Sequence, residues 1–508
     1  MNSKLFDSKT LGDQVTAREK VLGFLLGPLG PLLVNAVIVS YLNVYYTDVL
    51  DLSGAWGGLF LTVFPLASRV ISTASNLYIG RVIDRTVSRQ GKARPWLLVS
   101  APFMGLGIIA VFGTPSLPMW LQLAWVVLAG NLYADFAFAT YNTAHLLMVP
   151  LASRDPRDRG ILAVFSNVGN MVGAGTMVAL VFPALVLPAL GVNRAAWLFM
   201  ACLLAAVALP LVVVEYYFTR ERVTTGQTSA PATPPPARRH VRRAALTDRF
   251  WLVYVGWITL FNLAGTFRNI SLIYYANYVL GDYNDGVTPT LLALIGGIPL
   301  GVGLFVVWPL AKRIGKRNLT LAGTCLSAAG NLLCLLDPAD LRLVLTGQAI
   351  ANLGLVPAAY VFTALLGDVL DTLEWRTHVR ADGFTASAIA ILTGTVGTVA
   401  GAGFNLLLGL TGDYRAPQYD AHTDITTGFD QTANVQSVIV FAFLGFGVVA
   451  NIVLAVLLVF LSVEKTLPIV QTELAHRHRY TDADSHHIAD AALPATAPPS
   501  SPLWPHTP

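Results

Sequence analysis

Residues 195–218 read AAWLFMACLLAAVALPLVVVEYYF. A helix needs about 20 apolar residues to cross the hydrocarbon layer of a bilayer, and this stretch meets that length. Eleven further runs do the same: Val21–Tyr46, Ala55–Ile83, Trp96–Gly113, Leu117–Leu147, Ile161–Leu187, Phe250–Leu280, Thr288–Ala311, Leu319–Leu336, Leu343–Leu370, Gly383–Leu410 and Val435–Val463. Twelve spans are therefore expected, and an even count puts both termini on one side of the membrane.

Composition requires the same answer. Of 508 residues, 54% are hydrophobic and only 12% charged, with a mean hydropathy of +0.60. A soluble domain carries about twice that charged fraction, so the apolar surface must face lipid and the unit is one large membrane domain. The net charge of +4 is small and gathered on one side, which is not a nucleic-acid footprint. Cys202, Cys325 and Cys334 fall inside apolar runs without metal-ligand spacing and read as small core residues. No cofactor motif is visible. Met1 to Lys20 is polar, and the first apolar run is too long for a cleavable leader and has no small-residue cleavage site, so it is expected to stay as an anchor.

Sidedness follows from Lys and Arg. One set of loops holds Arg81, Arg85, Arg89, Lys92 and Arg94, then Arg154, Arg157 and Arg159, then the Arg pairs 238–239 and 242–243, then Lys312, Arg313, Lys316 and Arg317. The opposite loops carry strays such as Arg194 and Arg415. The positive-inside rule then expects both termini in the cytoplasm. Abundant Arg and Ala suggest a bacterial source, hence the cell inner membrane. The expected segments are a cytoplasmic start (1–20), a six-helix bundle (21–218), a flexible cytoplasmic linker (219–249), a second six-helix bundle (250–463) and a disordered cytoplasmic tail (464–508). His476, His478, His486 and His487 fall in that tail, where disorder is favoured over metal binding. The halves echo each other: Gly80-Arg-Val-Ile-Asp84-Arg85 with Gly91-Lys92 ends the second run, and Ala311-Lys312-Arg313-Ile-Gly315-Lys316-Arg317 ends the eighth. Equivalent basic turns suggest two related bundles rocking about a central site.

Several stretches resemble one branch of the major facilitator superfamily, the glycoside–pentoside–hexuronide cation symporters typified by melibiose permease. They are Tyr45-Tyr46-Thr47-Asp48-Val49, Gly91-Lys92-Ala93-Arg94-Pro95-Trp96, Tyr274-Tyr275-Ala276-Asn277-Tyr278-Val279-Leu280-Gly281, and Asp368-Val-Leu-Asp371-Thr-Leu-Glu374-Trp375-Arg376-Thr377 through Arg380-Ala-Asp382-Gly383. The resemblance implies an all-α membrane protein with the major facilitator fold, working as a monomer by alternating access. It also implies that Asp84, Arg85, Asp368, Asp371, Arg376 and Arg380 act as cytoplasmic gate residues, the plain alternative being solvated charges that fix topology. The departures are specific. Where the family has a second-helix Arg-x-Trp-Asp-x-x-Asn-Asp-Pro, this chain has Arg69-Val-Ile-Ser72-Thr-Ala-Ser75-Asn76-Leu77, keeping the Arg and losing both acids that bind the coupling cation. The sugar-site Asp of the fourth helix aligns with Asn142 and its neighbouring Trp with Leu146. The fifth-helix Arg falls near Asn167, the eleventh-helix Lys near Thr393 or Gly394, and the first-helix acid at Leu32 or a neighbour. Sodium coupling is not expected on these residues.

A charge at mid-membrane costs at least about 2.5 kcal/mol and requires a reason. Asp135 shares one helix face with Asn131, Asn142 and His145. Two readings stand for it: a carboxyl that loads and releases a coupling proton, or a structural ion pair with Arg69. His145, one turn from the helix end, reads as an interfacial polar residue ahead of the alternative, a proton relay. Arg268 lies near Asn262, Thr266 and Asn269, and either binds an anionic group of the substrate or snorkels outward. Gly27-Pro28-Leu-Gly30-Pro31, ahead of Asn35, either frames the site as a broken segment or packs on a neighbour. The substrate-binding candidates are thus Asn35, Asn142, Asn167, Asn262, Arg268 and Asn269. The expected function is secondary active transport of a small organic solute, glycoside-like or a secondary metabolite. The alternatives are export of a drug, natural product or lysolipid, or a transport-inactive receptor or scaffold. A membrane enzyme is disfavoured, because no metal cluster, nucleophile–base pair or phosphate loop appears in the sequence.

Overall fold

Each apolar run closes into helix, because lipid offers no partner to a free backbone amide. The computed structural model describes residues 8–10, 14–153, 155–170, 175–223, 238–281, 283, 285–378, 381–420, 425–427, 430–474 and 476. In chain order the helices are α1 (Glu19–Val49), α2 (Phe60–Arg85), α3 (Arg94–Phe112), α4 (Met119–Ala152), α5 (Pro156–Val168), α6 (Met177–Leu190), α7 (Arg194–Phe218), α8 (Arg238–Thr247), α9 (Arg249–Leu280), α10 (Val287–Ile314), α11 (Lys316–Cys334), α12 (Leu341–Thr377), α13 (Asp382–Thr411) and α14 (Ala433–Phe460). Among the described residues, eight of these are long and apolar enough to cross a membrane. α5 and α6 together occupy the fifth expected span, and α8 is an addition to the twelve. A short antiparallel hairpin, β1 (Gln418–Asp420) with β2 (Ile425–Thr427), follows α13.

Four expectations change. The linker is not all strap, since its last third is the helix α8. The signature Asp368–Thr377 is not a loop but the final turns of α12. The chain beyond Glu464 begins with ordered helix, with Val470 and Leu474 buried and Glu473 accepting from Trp375 Nε1 at 2.7 Å. The Gly-Pro segment of α1, where a π-helical stretch ending at Leu26 turns through Gly27–Pro28 into α-helix at Leu29, packs on a neighbour: Gly27 lies against Glu215 and Gly30 against Ala208, both on α7.

The internal repeat is closest at the end of the bundle that carries the basic turns. Glu221, just past α7, accepts from the backbone amides of Lys92, Ala93 and Arg94 at 2.8–2.9 Å. Glu464, just past α14, accepts from those of Lys316 and Arg317 at 2.7 and 3.1 Å. Each carboxylate thereby satisfies the free amides at the start of a helix and meets the positive end of its dipole. Arg94 Nε then donates to Tyr216 O at 2.8 Å, and Arg317 Nε to Leu458 O at 2.7 Å. Gly91 and Gly315 precede the two clamps at φ of 110° and 91°, a backbone region that favours glycine.

Packing differs between the two ends. One hydrophobic core contains the first half together with Phe267, Tyr274, Tyr278, Phe404 and their neighbours at the far end of the second. The other core is made only of second-half residues, such as Trp257, Val361 and Leu458, near the basic end. The halves therefore share one core at the far end, where α1 meets α9, α2 meets α13 and α6 meets α10, and separate toward the basic end.

Candidate functional site

A cavity of about 670 Å³ lies between α1, α6, α9, α10, α12 and α14, within the 300–1,000 Å³ usual for small-molecule sites. Its polar lining comes mostly from the second half: Asn262, Thr266, Arg268 and Asn269 of α9, Asn331 of α11, Asn352 of α12 and Asn451 of α14. Arg268 does not snorkel. Its Nη1 donates inward to Asn352 Oδ1, and the guanidinium lies 5.8 Å from the Phe443 ring centre. Nε is buried without a partner, and among the described residues no carboxylate pairs with Arg268.

Neutral amides hold it in place. Asn352 donates to Gln348 O at 2.7 Å, Gln348 to Asn331 Oδ1 at 3.1 Å, and Asn331 to Ser327 O at 3.0 Å. Asn451 reaches Ser327 Oγ at 3.1 Å. This chain fixes the arginine's position without neutralising it, so its charge is left for whatever enters the cavity. Asn331, Gln348, Asn352 and Asn451 were not among the sequence candidates, although each stands out as an amide inside an apolar run.

The first-half candidates lie outside the lining of this cavity. Asp135 sits in a π-helical turn of α4, Leu132–Phe138, a widening that is frequent at functional sites. Its Oδ1 accepts from Ser72 Oγ, and its Oδ2 is buried with no partner. Of the two readings for Asp135, direct pairing with Arg69 has no salt bridge among the described residues; Ser72, one turn along α2 from Arg69, donates to the carboxylate, and the Arg69 charge acts on it through space. Arg69 extends across the seam to α13, where a Cβ on Gly394 would come within 2.6 Å of its Nη2. The missing eleventh-helix lysine is thus replaced by empty space that the arginine of the other half fills. Arg69 Nε is likewise buried and unpartnered. Asn35 and Asn142 are half-buried and Asn167 is exposed, and none of the three lines the cavity.

At the basic end, Asp84 pairs with Lys92 at 3.1 Å, Asp368 with Lys316, and Arg376 with Asp248 at 2.8 Å. Each pair stays within its own half. Arg85 is exposed and Asp371 half-buried; Arg380 lies outside the described residues.

The far end is closed by Asp48, which is buried where α1 ends. It accepts from Tyr278 at 2.7 Å, Tyr283 at 3.3 Å and Tyr414 at 2.5 Å, all in the second half, and from its neighbour Thr47 at 2.7 Å. Tyr274 bonds Asn43 and Thr47 at 2.7 and 2.8 Å, and Asn405 bonds Asn43 at 2.7 Å. Burial, and then the Asp48 charge, push the Tyr414 hydroxyl well above its ordinary range, so it remains a donor. Asp48, Tyr274 and Tyr278 stood in the quoted motifs without a role, because the bonds that define them cross between halves.

A family model described as MFS/sugar transport protein matches residues 23–465. An isoprimeverose transporter from Lactiplantibacillus pentosus is 25% identical over 456 residues, covering 88% of this chain and 89% of that protein. A glucuronide carrier protein homolog from Escherichia coli (strain K12) is 25% identical over 401 residues, covering 77% and 83%. A crystal structure of the nucleoside transporter NupG superposes with a TM-score of 0.54 at 13% identity, over 87% of this chain and 98% of that one, a likeness of fold alone. A multi-pass helical architecture, a cavity at the junction of two repeated halves and a match over most of the sequence converge on one assignment: the chain belongs to the MFS/sugar transport family and is a secondary transporter of a small organic solute.

Proposed function

We propose that the solute is a sugar-sized molecule bearing one anionic group, bound with that group on Arg268 and its hydroxyls on Asn262, Asn269 and Asn352. The observation that carries this reading is a half-buried guanidinium facing the cavity, its Nε enclosed and unpartnered and its described hydrogen bond made to an amide. An isolated charge at this depth is costly, and an anion entering the cavity offsets it while gaining charge-assisted hydrogen bonds. The carboxylate of a glucuronide, the class named for one relative, has the chemistry required. The protein is read as a monomer of the inner membrane with both termini cytoplasmic, supported by the basic loops at that end. It transports without covalent chemistry. The coupling ion is a proton rather than sodium, with Asp135 as one carrier and Arg69 setting its field. Asp84, Arg85, Asp368, Asp371, Arg376 and Arg380 rearrange when the cytoplasmic end closes.

The test is a matched pair of solutes in proteoliposomes: p-nitrophenyl β-glucuronide and p-nitrophenyl β-glucoside, which differ by a carboxylate in place of a hydroxymethyl group. Preference for the glucuronide that vanishes in Arg268→Gln is expected. Equal transport of both by the unmodified protein would sink the anionic reading and favour a neutral glycoside. For coupling, Asp135→Asn should lower pH-gradient-driven accumulation far more than counterflow; an intact pH dependence would remove Asp135 from the mechanism.

A further inference from the structure

The quoted run 195–218 contains one acid, Glu215, and it is fully buried. Its Oε1 lies 2.7 Å from His145 Nδ1, and its Oε2 accepts from Tyr141 Oη at 2.6 Å. The other imidazole nitrogen, Nε2, lies 2.9 Å from Ser166 Oγ. Three helices, α4, α5 and α7, thus converge on one carboxylate–imidazole pair well away from Arg268 and not in the lining of its cavity. Sequence reading placed His145 at the interface; the structure buries it.

We propose that His145 and Glu215 form a proton-binding site, additional to Asp135, that the transport cycle loads and empties through Ser166. The geometry suits both protonation states. In the loaded state the ring is an imidazolium: Nδ1–H donates to Glu215 and Nε2–H donates to Ser166 Oγ, and the pair is neutral overall. Unloading removes the one proton on Nε2. The Ser166 hydroxyl then turns and donates to the freed lone pair, while Nδ1–H and Tyr141 keep donating to the carboxylate. A hydroxyl is both donor and acceptor, so no buried group loses its partner in either state. Ser166 is half-buried and is the member of the cluster nearest water, which gives the proton a way in and out.

The surrounding charges are matched elsewhere. Arg94 of α3 lies over the Tyr216 ring at 4.3 Å and donates to its carbonyl. Glu19, at the start of α1, pairs with Arg222 at 2.8 Å, and Glu221 is taken by backbone amides. From α4 the pair is faced by Tyr141, from α5 by Ser166, and from α1 by Gly27, which has no side chain to offer. Among the described groups facing the pair, the imidazole proton is the one whose gain or loss leaves every partner satisfied.

The inference rests on the transporter reading but not on the solute's identity, so its first test uses no solute. The full chain is made with His145 as its sole histidine, the others (His240, His378, His422 and those of the tail) replaced by Gln, and its ring nitrogens are followed by 15N NMR between pH 5 and pH 9. The expected result is a ring that passes from doubly protonated to the Nδ1–H tautomer as pH rises, with the transition displaced in Glu215→Gln. A ring that stays in one state across that range overturns the proposal, and this measurement needs no variant at the site. The second test is transport of p-nitrophenyl β-glucuronide. His145→Gln should lower pH-gradient-driven accumulation at least tenfold more than it lowers counterflow. Equal effects on both, in a protein that still folds, overturn the coupling role. If the unmodified protein moves only the glucoside, the same comparison is made with that solute, so failure of the anionic reading and failure of this site remain separate results.

Discussion

The two halves of the molecule are alike where they hold backbone and unlike where they hold charge. Glu221 and Glu464 clamp the starts of α3 and α11 through backbone amides, three and two respectively, each beside a glycine of positive φ and an arginine that reaches the last long helix of its half, α7 or α14. Their interiors differ in how charge is held. The first half sets carboxyls against polar partners, Asp135 on Ser72 and Glu215 on His145, with Arg69 nearby. The second half holds a half-buried base, Arg268, among amides. Repetition is retained at the positions that set helix ends and is lost at the positions that face a cargo. The physical division of labour follows: protons suit the half with carboxyls, and an anion suits the half with the guanidinium.

The strongest attack on this comparison is Arg268→Gln. Loss of charge-assisted bonds worth about 1.5–3 kcal/mol should weaken binding of an anionic solute on the order of 100-fold, measured by calorimetry or competition, with the pH dependence of counterflow unchanged. If binding is unaffected, the second half is not the anion-binding half. Next come the clamps. Glu221→Gln and Glu464→Gln should each cost about 1–2 kcal/mol of stability and lower Tm by similar amounts, because each removes a charge from several backbone amides. Unequal losses would show that the repeat is one of geometry and not of energy. Smaller still is the seam. Tyr414→Phe removes one of the bonds on Asp48 and leaves it the others, so a shift of about 1 kcal/mol toward opening of the far end is expected, read as faster labelling of a cysteine placed beside Tyr278.

Most of the fold was visible in the sequence, since lipid imposes a length and a hydrophobicity that twelve runs satisfy. The halves and their matching basic turns were visible as well, because Gly91-Lys92 and Gly315-Lys316 stand at equivalent places. Contacts across the chain were not. Sequence left Arg268 between an inward and an outward orientation, because the Asn352 that fixes it lies on another helix, 84 residues on. Glu215 was passed over in the very run that sets the membrane length, since a single acid near the end of an apolar stretch resembles a boundary residue, and its partners Tyr141 and His145 come from α4. The surroundings of Arg69 and Asp135 were not legible either: Ser72 donates to the acid, the arginine acts on it only through space, and Gly394 of the other half gives the guanidinium its place. The end of α12 was read as loop because charges follow Leu370, yet a helix that leaves the bilayer can carry charge and continue.

The glutamate clamps also bear on how the molecule can be taken apart. Glu221 ties the chain back to the first half before Val223, whose amide is itself bonded to Leu151 O at 3.1 Å, and α8 belongs to the second half through Val241 and Ala245. A cut between Val223 and Arg238 leaves every one of these ties on its own side. The two halves therefore lend themselves to co-expression as separate polypeptides, each with its own finished edge, and mixing a labelled half with an unlabelled one would let either be studied spectroscopically inside the whole transporter.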